Sequence, residues 1–476
     1  MGETIRGKTC RIAHEAPALA SSPLLKLPNE LITRIVDLAT EPAEPLWRWW
    51  WDRRNQHFRA VATPRLYSQL VRLGTRTHPE VSLTRLSQLL RSLRSNPALA
   101  DHCRTLEIHL GHLGHICKAQ EGVLGTRSKT QLVGELSSLL HRTRILVARN
   151  SLHRWDETWD GHREGPGGRE IIFAAVGKMP ELQELYLWNC CHVTSREIRD
   201  ALSGSSCLRS LLISRCIIKS AVLPDLRKSG TGFPCLTSLS VFGFPAWPTD
   251  LQYFFHGPPK LEHLIFALDY TDGEQYVDEG GGPWSLPRVF SFLAPQRETL
   301  RTIKIGTFYN TECDLQGLDL SEYTNLVDLE LSARNTGITT GQEEILSAPR
   351  LENFTWNFQT NDQQNGPLLE EFDEVCETWV RKFMQHAVAT NSSLKKIHII
   401  FTPDIWDGPP PVWPWDRMDT LNCEGQDMGI AVTYTTPSVE KEYFDHEYGY
   451  TSALPRFDET TDFGQQVGEH PITTGE

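Results

Sequence analysis

A spacing of apolar residues, L-x-x-L-x-L in variant forms, recurs along the chain from residue 103 to residue 400. It reads CRTLEI at 103, LQELYL at 182, LRSLLI at 208, LTSLSV at 236, LEHLIF at 261, LRTIKI at 300, LVDLEL at 326, LENFTW at 351 and LKKIHI at 394. From 182 onward successive starts lie 26, 28, 25, 39, 26, 25 and 43 residues apart, and a degenerate copy, RTRILVA near 142, divides the long interval before 182. Alternation of this kind predicts a short strand in each copy, its leucines on one face and the intervening residues on the other. One strand with one return segment has nothing opposite its apolar face, so the copies must stack on one another to make a core. The two longest of these spacings hold inserts. One, near 269–290, contains the acidic glycine loop DYTDGEQYVDEGGGP; the other, near 361–390, is a helix-like stretch with Phe372, Val375, Cys376, Trp379 and Phe383 on one face.

Ahead of the repeats the period changes. In LLKLPNELITRIVDL, Pro28 suits the first position of a helix, and Leu27, Leu31, Ile35 and Leu38 follow at spacings of four, four and three. That stripe fits a docking helix or an ordinary buried amphipathic helix. An insert from 41 to 57 carries Trp47, Trp49, Trp50 and Trp51, as core filling or as a partner anchor. FRAVATPRLYSQL comes next, with Thr63 and Pro64 predicting a helix start and Gly74 its end. A further amphipathic helix, with Leu83, Leu86, Leu90 and Leu93, ends at Asn96-Pro97.

These segments resemble a known pairing. The order of the LPNEL helix, a second helix ending near FRAVA and a third carrying RLYSQL resembles the F-box, over residues 23–73. The repeats resemble leucine-rich repeats, and LQELYLWNCCHVTSREIRDALSGSSCLRSLLISRC resembles their cysteine-containing variety, which implies that Cys190, Cys207 and Cys216 are small buried hydrophobes. SLTRLSQLLRSLRSNPALADHCRTLEIHL resembles the junction of fungal F-box proteins of this type. The resemblance implies an α/β fold: a flexible start (1–22), a three-helix module (23–75), a linker helix (76–100) and a solenoid (101–402) with a curved parallel sheet on its concave face and helices and loops on the convex face. It further implies docking on a Skp-type adaptor, and through it a cullin ubiquitin ligase, by Leu25, Leu27, Pro28, Glu30, Leu31, Ile35, Leu38, Phe58 and Val61.

Charge divides the 476-residue chain unevenly. Residues 1–155 balance to +11, 156–402 to −12 and 403–476 to another −12, within a net −13. The last stretch lacks a sustained period and predicts an acidic, irregular or partly disordered tail. The basic first third raises nucleic-acid binding as a reading, but its arginines are spread along helices without interleaved stacking aromatics, so a purely structural role or complementarity to an acidic adaptor suits them better. No run of eighteen apolar residues predicts a membrane span, and the N-terminus carries Arg6, Lys8 and Arg11 without an apolar core behind them, unlike a signal peptide. Eleven scattered cysteines without paired spacing read as reduced thiols in a cytoplasmic or nuclear protein.

Candidate chemistry is thin. His109, His112 and His115 form the best metal candidate, but two glycines intervene and the spacing does not converge. Phosphate-loop, zinc-helix and nucleophile-elbow motifs are missing from the sequence, the glycines at 280–282 have no flanking strand and helix, and the pairs Glu343-Glu344 and Glu370-Glu371 suit solvated helix starts. A non-catalytic protein without cofactor or metal is therefore expected. Recognition falls to the outward strand positions Glu184, Tyr186, Trp188, Leu212, Phe242, Ile265, Lys304, Asp328 and Glu330, apolar and aromatic centrally with charge at the flanks. The expected function is that of a target receptor in an SCF-type ubiquitin ligase, binding a protein substrate on the solenoid. The alternative is a repeat scaffold whose F-box-like helices only cap its first repeat.

Overall fold

The computed structural model describes residues 69–70, 89–109, 129–149, 172–173, 175–188, 193–194, 198, 201–202, 206–214, 218–219, 234–243, 260–267, 285–308, 315, 318–336, 343–359, 367–368, 371–403, 413–437 and 441. The chain divides into two compact units, Met1–Leu236 and Thr237–Glu476, each α/β with a parallel sheet.

In the first unit the strands are β1 (Thr105–His109), β2 (Ile145–Arg149), β3 (Glu184–Trp188) and β4 (Ser210–Ser214). They pair in parallel and in sequence order, Thr105 opposite Ile145, Ile145 opposite Glu184 and Glu184 opposite Ser210. The fourth and sixth residues of each copy of the repeat pattern face inward as the spacing predicts. Leu106, Ile108, Leu146, Ala148, Leu185, Leu187, Leu211 and Ile213 are all buried, each such leucine or isoleucine worth about 1.5–3 kcal/mol relative to exposure. Helix α1 (residues 89–95) ends at Asn96, and Pro97 opens a 3-10 turn to His102 that feeds β1. Helix α2 (Lys129–Leu139) returns between β1 and β2 and buries Leu132, Val133 and Leu136.

The second unit contains β5 (Ser238–Phe242), β6 (His263–Ala267), β7 (Thr302–Ile305), β8 (Asp328–Ser332), β9 (Asn353–Asn357), β10 (Lys396–Ile400) and β11 (Ala431–Tyr434), also parallel and in chain order. The register is pinned by one device used again and again. The carbonyl one residue past the first apolar position accepts two consecutive amides of the next strand: Glu262 O from Arg301 and Thr302, Arg301 O from Val327 and Asp328, Val327 O from Glu352 and Asn353, Glu352 O from Lys395 and Lys396. A slip of one residue would break these forks and turn every leucine outward.

The long intervals hold helices. Helix α3 (Leu286–Leu293) is capped by Ser285, whose Oγ accepts from the Arg288 amide at 3.4 Å, and it buries Leu286, Val289, Phe290 and Leu293. Helix α4 (Glu374–Ala389) is capped by Asp373, whose Oδ1 accepts from the Cys376 amide at 2.9 Å. Its inner face meets the strands through rings: Phe354 lies 5.9 Å from Trp379 and 5.3 Å from Phe383, and Trp356 lies 4.8 Å from Trp379.

Four expectations need correction. Val375 is exposed, at 47 %, because the helix begins after Asp373; Phe372 packs from the preceding bend, and the buried stripe is Cys376, Trp379, Val380, Phe383, Met384 and Ala387. Cys207 is exposed, since it sits in the turn before Leu208, which takes the core position; Cys190 and Cys216 lie outside the described residues. Part of the acidic C-terminal stretch is regular: helix α5 (Pro414–Asp427) buries Trp415, Met418, Leu421 and Gly425, and β11 adds a last strand. A turn joins them in which Ile430 N donates to Gly425 O at 2.8 Å and Gly429 N to Gln426 O at 3.1 Å, with Gly429 at φ 76°. Finally, Gln69 and Leu70, expected within a helix, form a short strand paired in parallel with Thr105 and Leu106. The free edge of β1 offers backbone groups that outweigh local helical preference.

Candidate functional site

All nine adaptor candidates, Leu25, Leu27, Pro28, Glu30, Leu31, Ile35, Leu38, Phe58 and Val61, lie outside the described residues. So do His112, His115 and the side chain of His109. The nine recognition candidates are all described, and each sits at an outward, partly or fully exposed strand position. Glu184, Tyr186, Trp188 and Leu212 belong to a face of the first unit, and Phe242, Ile265, Lys304, Asp328 and Glu330 to a face of the second.

On the first face the register sets Val147 beside Tyr186 and Tyr186 beside Leu212. Ile145 of the degenerate copy stands opposite Glu184 in the adjacent row, so Ile145, Val147, Tyr186 and Leu212 make an apolar patch across three strands, every member half-buried. Arg149 closes one side. Its guanidinium lies 5.3 Å from the Trp188 ring centroid, and its Nε is 3.0 Å from Glu107 Oε1. Tyr186 donates its hydroxyl to Glu184 Oε2 at 2.7 Å; that bond, burial and the neighbouring charge push its pKa up to about 12, so the phenol stays a neutral donor. Ile145, Val147 and Arg149 were not singled out in the sequence, although the alternation of RTRILVA carried the signal.

The second face is polar and cross-linked. Thr302 Oγ1 donates to Asp328 Oδ2 at 3.3 Å, and Asn353 Nδ2 donates to Asp328 Oδ1 at 2.7 Å. With the Thr302 proton on Asp328, its 3.2 Å contact with His263 Nδ1 requires that nitrogen to be the donor. One row up, Lys304 Nζ lies 3.0 Å from Glu330 Oε2, while Asn357 Nδ2 donates to Glu330 Oε1 at 3.1 Å. His398 Nδ1 lies 2.9 Å from Thr433 Oγ1, and burial together with the Lys396 charge lowers its pKa. Phe242 and Ile265 stand at the other end, on β5 and β6. Thus Asp328 and Glu330 are both held by donors from neighbouring strands. Thr302, Asn353, Asn357 and His398 were missed because the cross-strand partners lie tens of residues apart and depend on register.

Among the described residues no group of three or more His, Cys, Asp or Glu could hold a metal ion. Burial, with the nearby Asp373 charge, pushes the Cys376 thiol well above the usual range, which makes it a poor nucleophile. No helix of the described residues is long and apolar enough to cross a membrane. What both faces offer is shape and hydrogen bonding laid on a rigid sheet. No protein-family model matches the chain, and no curated protein matches it.

Proposed function

We propose that this chain is the target-recognition subunit of an SCF-type ubiquitin ligase. Residues 23–73 grip a Skp-type adaptor, and a leucine-rich repeat solenoid captures a protein target on its outward strand positions. The capture half is supported chiefly by one observation: the leucines of the repeats are consumed in the core, while the intervening positions carry aromatic, apolar and hydrogen-bonding groups on the outward side of the strands. The adaptor half rests on the LPNEL stripe and the FRAVA segment of the sequence. Catalysis in this reading is positional: the receptor raises the effective concentration of target lysines near a loaded ubiquitin, and other subunits do the chemistry in the cytoplasm or nucleus.

A second reading is a repeat scaffold with an N-terminal cap. It is favoured by the pairing of Gln69 and Leu70 with β1, since a piece of the F-box-like stretch then covers the first repeat. The two readings part in a co-elution experiment with full-length protein and a purified Skp-type adaptor, run beside a Leu27→Ala/Leu31→Ala variant whose fold is checked by circular dichroism. Stoichiometric co-elution of the wild type that the variant loses supports the receptor. Co-elution of neither leaves the scaffold.

A further inference from the structure

Among the described outward carboxylates of the two faces, Glu184 is the one with neither a cation nor a donor on each of its two oxygens. Glu107 has Arg149, Glu330 has Lys304 and Asn357, and Asp328 has Thr302 and Asn353. The Glu184 carboxylate accepts the Tyr186 hydroxyl and, among the described residues, pairs with no cation. Its neighbours across the sheet are Ile145 on one side and Ser210 on the other, so it lies at the edge of the patch formed by Ile145, Val147, Tyr186 and Leu212. The described outward side chains of β1 to β4 therefore sum to one negative charge, Glu107 and Arg149 cancelling, and that charge is at Glu184.

An apolar partner laid over this patch would take water from Glu184 and strand a half-buried carboxylate, which is unfavourable unless the partner supplies the missing charge. We infer that this face takes a protein segment carrying an arginine or lysine set between apolar side chains, its cation on Glu184 and its apolar neighbours on Val147, Tyr186 and Leu212. The Tyr186 hydroxyl occupies one carboxylate oxygen and fixes the group, leaving the other oxygen to a guanidinium or ammonium donor. A long basic side chain can also lay its methylene stem along the Tyr186 ring. An acidic segment meets repulsion at the same point, which gives the face a sign preference as well as a shape.

This inference rests on the sheet face being the capture surface and not on adaptor docking, so the two fail separately. The test is selection of a displayed random dodecapeptide library on full-length protein, in parallel with full-length Glu184→Gln and Glu184→Lys variants of verified fold. The expected result is enrichment on the wild type of peptides with a basic residue flanked by apolar ones. A synthetic peptide of the enriched sequence should bind Glu184→Lys at least tenfold more weakly, with an intermediate loss for Glu184→Gln, and selection on Glu184→Lys should turn to acidic centres. Enrichment without a basic residue, the same motif on all three proteins, or no enrichment over the bare support would each overturn it.

Discussion

Replacing Gly425 by alanine sets two effects of known sign against each other. Gly425 lies in the last turn of α5, where helix propensity alone favours alanine by about 1 kcal/mol. A Cβ there would stand 2.5 Å from the Ile430 carbonyl oxygen, 3.0 Å from Val432 Cγ2 and 3.3 Å from Met384 Sδ. The first of these is backbone and is tied in place, because Ile430 N donates to the Gly425 carbonyl at 2.8 Å. Relief requires moving α5 away from β11 and α4 together. Inserting a methyl into a packed site costs roughly 1–3 kcal/mol, and a backbone obstacle puts this case at the upper end, so the net loss should be about 1–2 kcal/mol. Gly429→Ala is the companion: nothing lies within 4 Å of its Cβ, but its φ of 76° makes alanine costly by about 1–2 kcal/mol through conformation alone. Hydrogen exchange of full-length protein, followed in peptides spanning 414–434, reads both. A Gly425→Ala protein as protected as wild type, or more so, would refute the close packing of α5 on β11.

Arg381 joins α4 to α5, donating to Glu424 at 2.7 and 3.0 Å and to Glu377 at 2.6 Å; allowing for partial exposure, Arg381→Met should cost about 1–2 kcal/mol in urea unfolding. Burial works to raise the Glu377 pKa, yet hydrogen bonds from Arg381 and Arg417 outweigh it and hold the carboxyl below its ordinary value of 4.5. Its contribution is therefore complete above that value and lost as pH falls through the folded pKa, a loss that a Glu377→Gln variant should not show in acid titration of stability. His398 is lowered from 6.5 by burial and by Lys396, so its neutral form stabilises the fold above that pH and the benefit shrinks as pH falls below it; His398→Gln should flatten the slope of melting temperature in that window. Asn391 ends α4 at φ 53°, and Asn391→Gly should leave stability unchanged or raise it by up to about 1 kcal/mol in the same urea assay.

The strands were legible because two periods coincide in them. Leucines alternate along each strand and recur from repeat to repeat, so Leu264 or Ile303 could be placed in the core, and Ile265 or Lys304 outside it, without coordinates. The carbonyl forks and the Asp328 ladder were not legible, because partners such as Thr302 and Asp328 are joined only once register is fixed. The face of β2 was passed over because its copy begins with Thr143, a buried polar residue where a leucine is usual. Helix α5 hid in an acidic stretch: its stripe of Trp415, Met418 and Leu421 closes on a glycine, which sequence patterns read as a breaker. The exposed Val375 shows how a cap residue, Asp373, shifts a helical stripe that spacing alone had extended one turn too early.

The central claim is that the stripe of Leu27, Leu31 and Ile35 faces a partner chain and not this one. Hydrogen exchange of full-length protein with and without a purified Skp-type adaptor tests it directly. The receptor account predicts weak protection of residues 24–38 in the free protein and a strong gain on adding adaptor, while peptides covering Thr105–His109 stay unchanged. Residues 24–38 already protected in the free protein, and unaffected by adaptor, would contradict it and make the segment a cap.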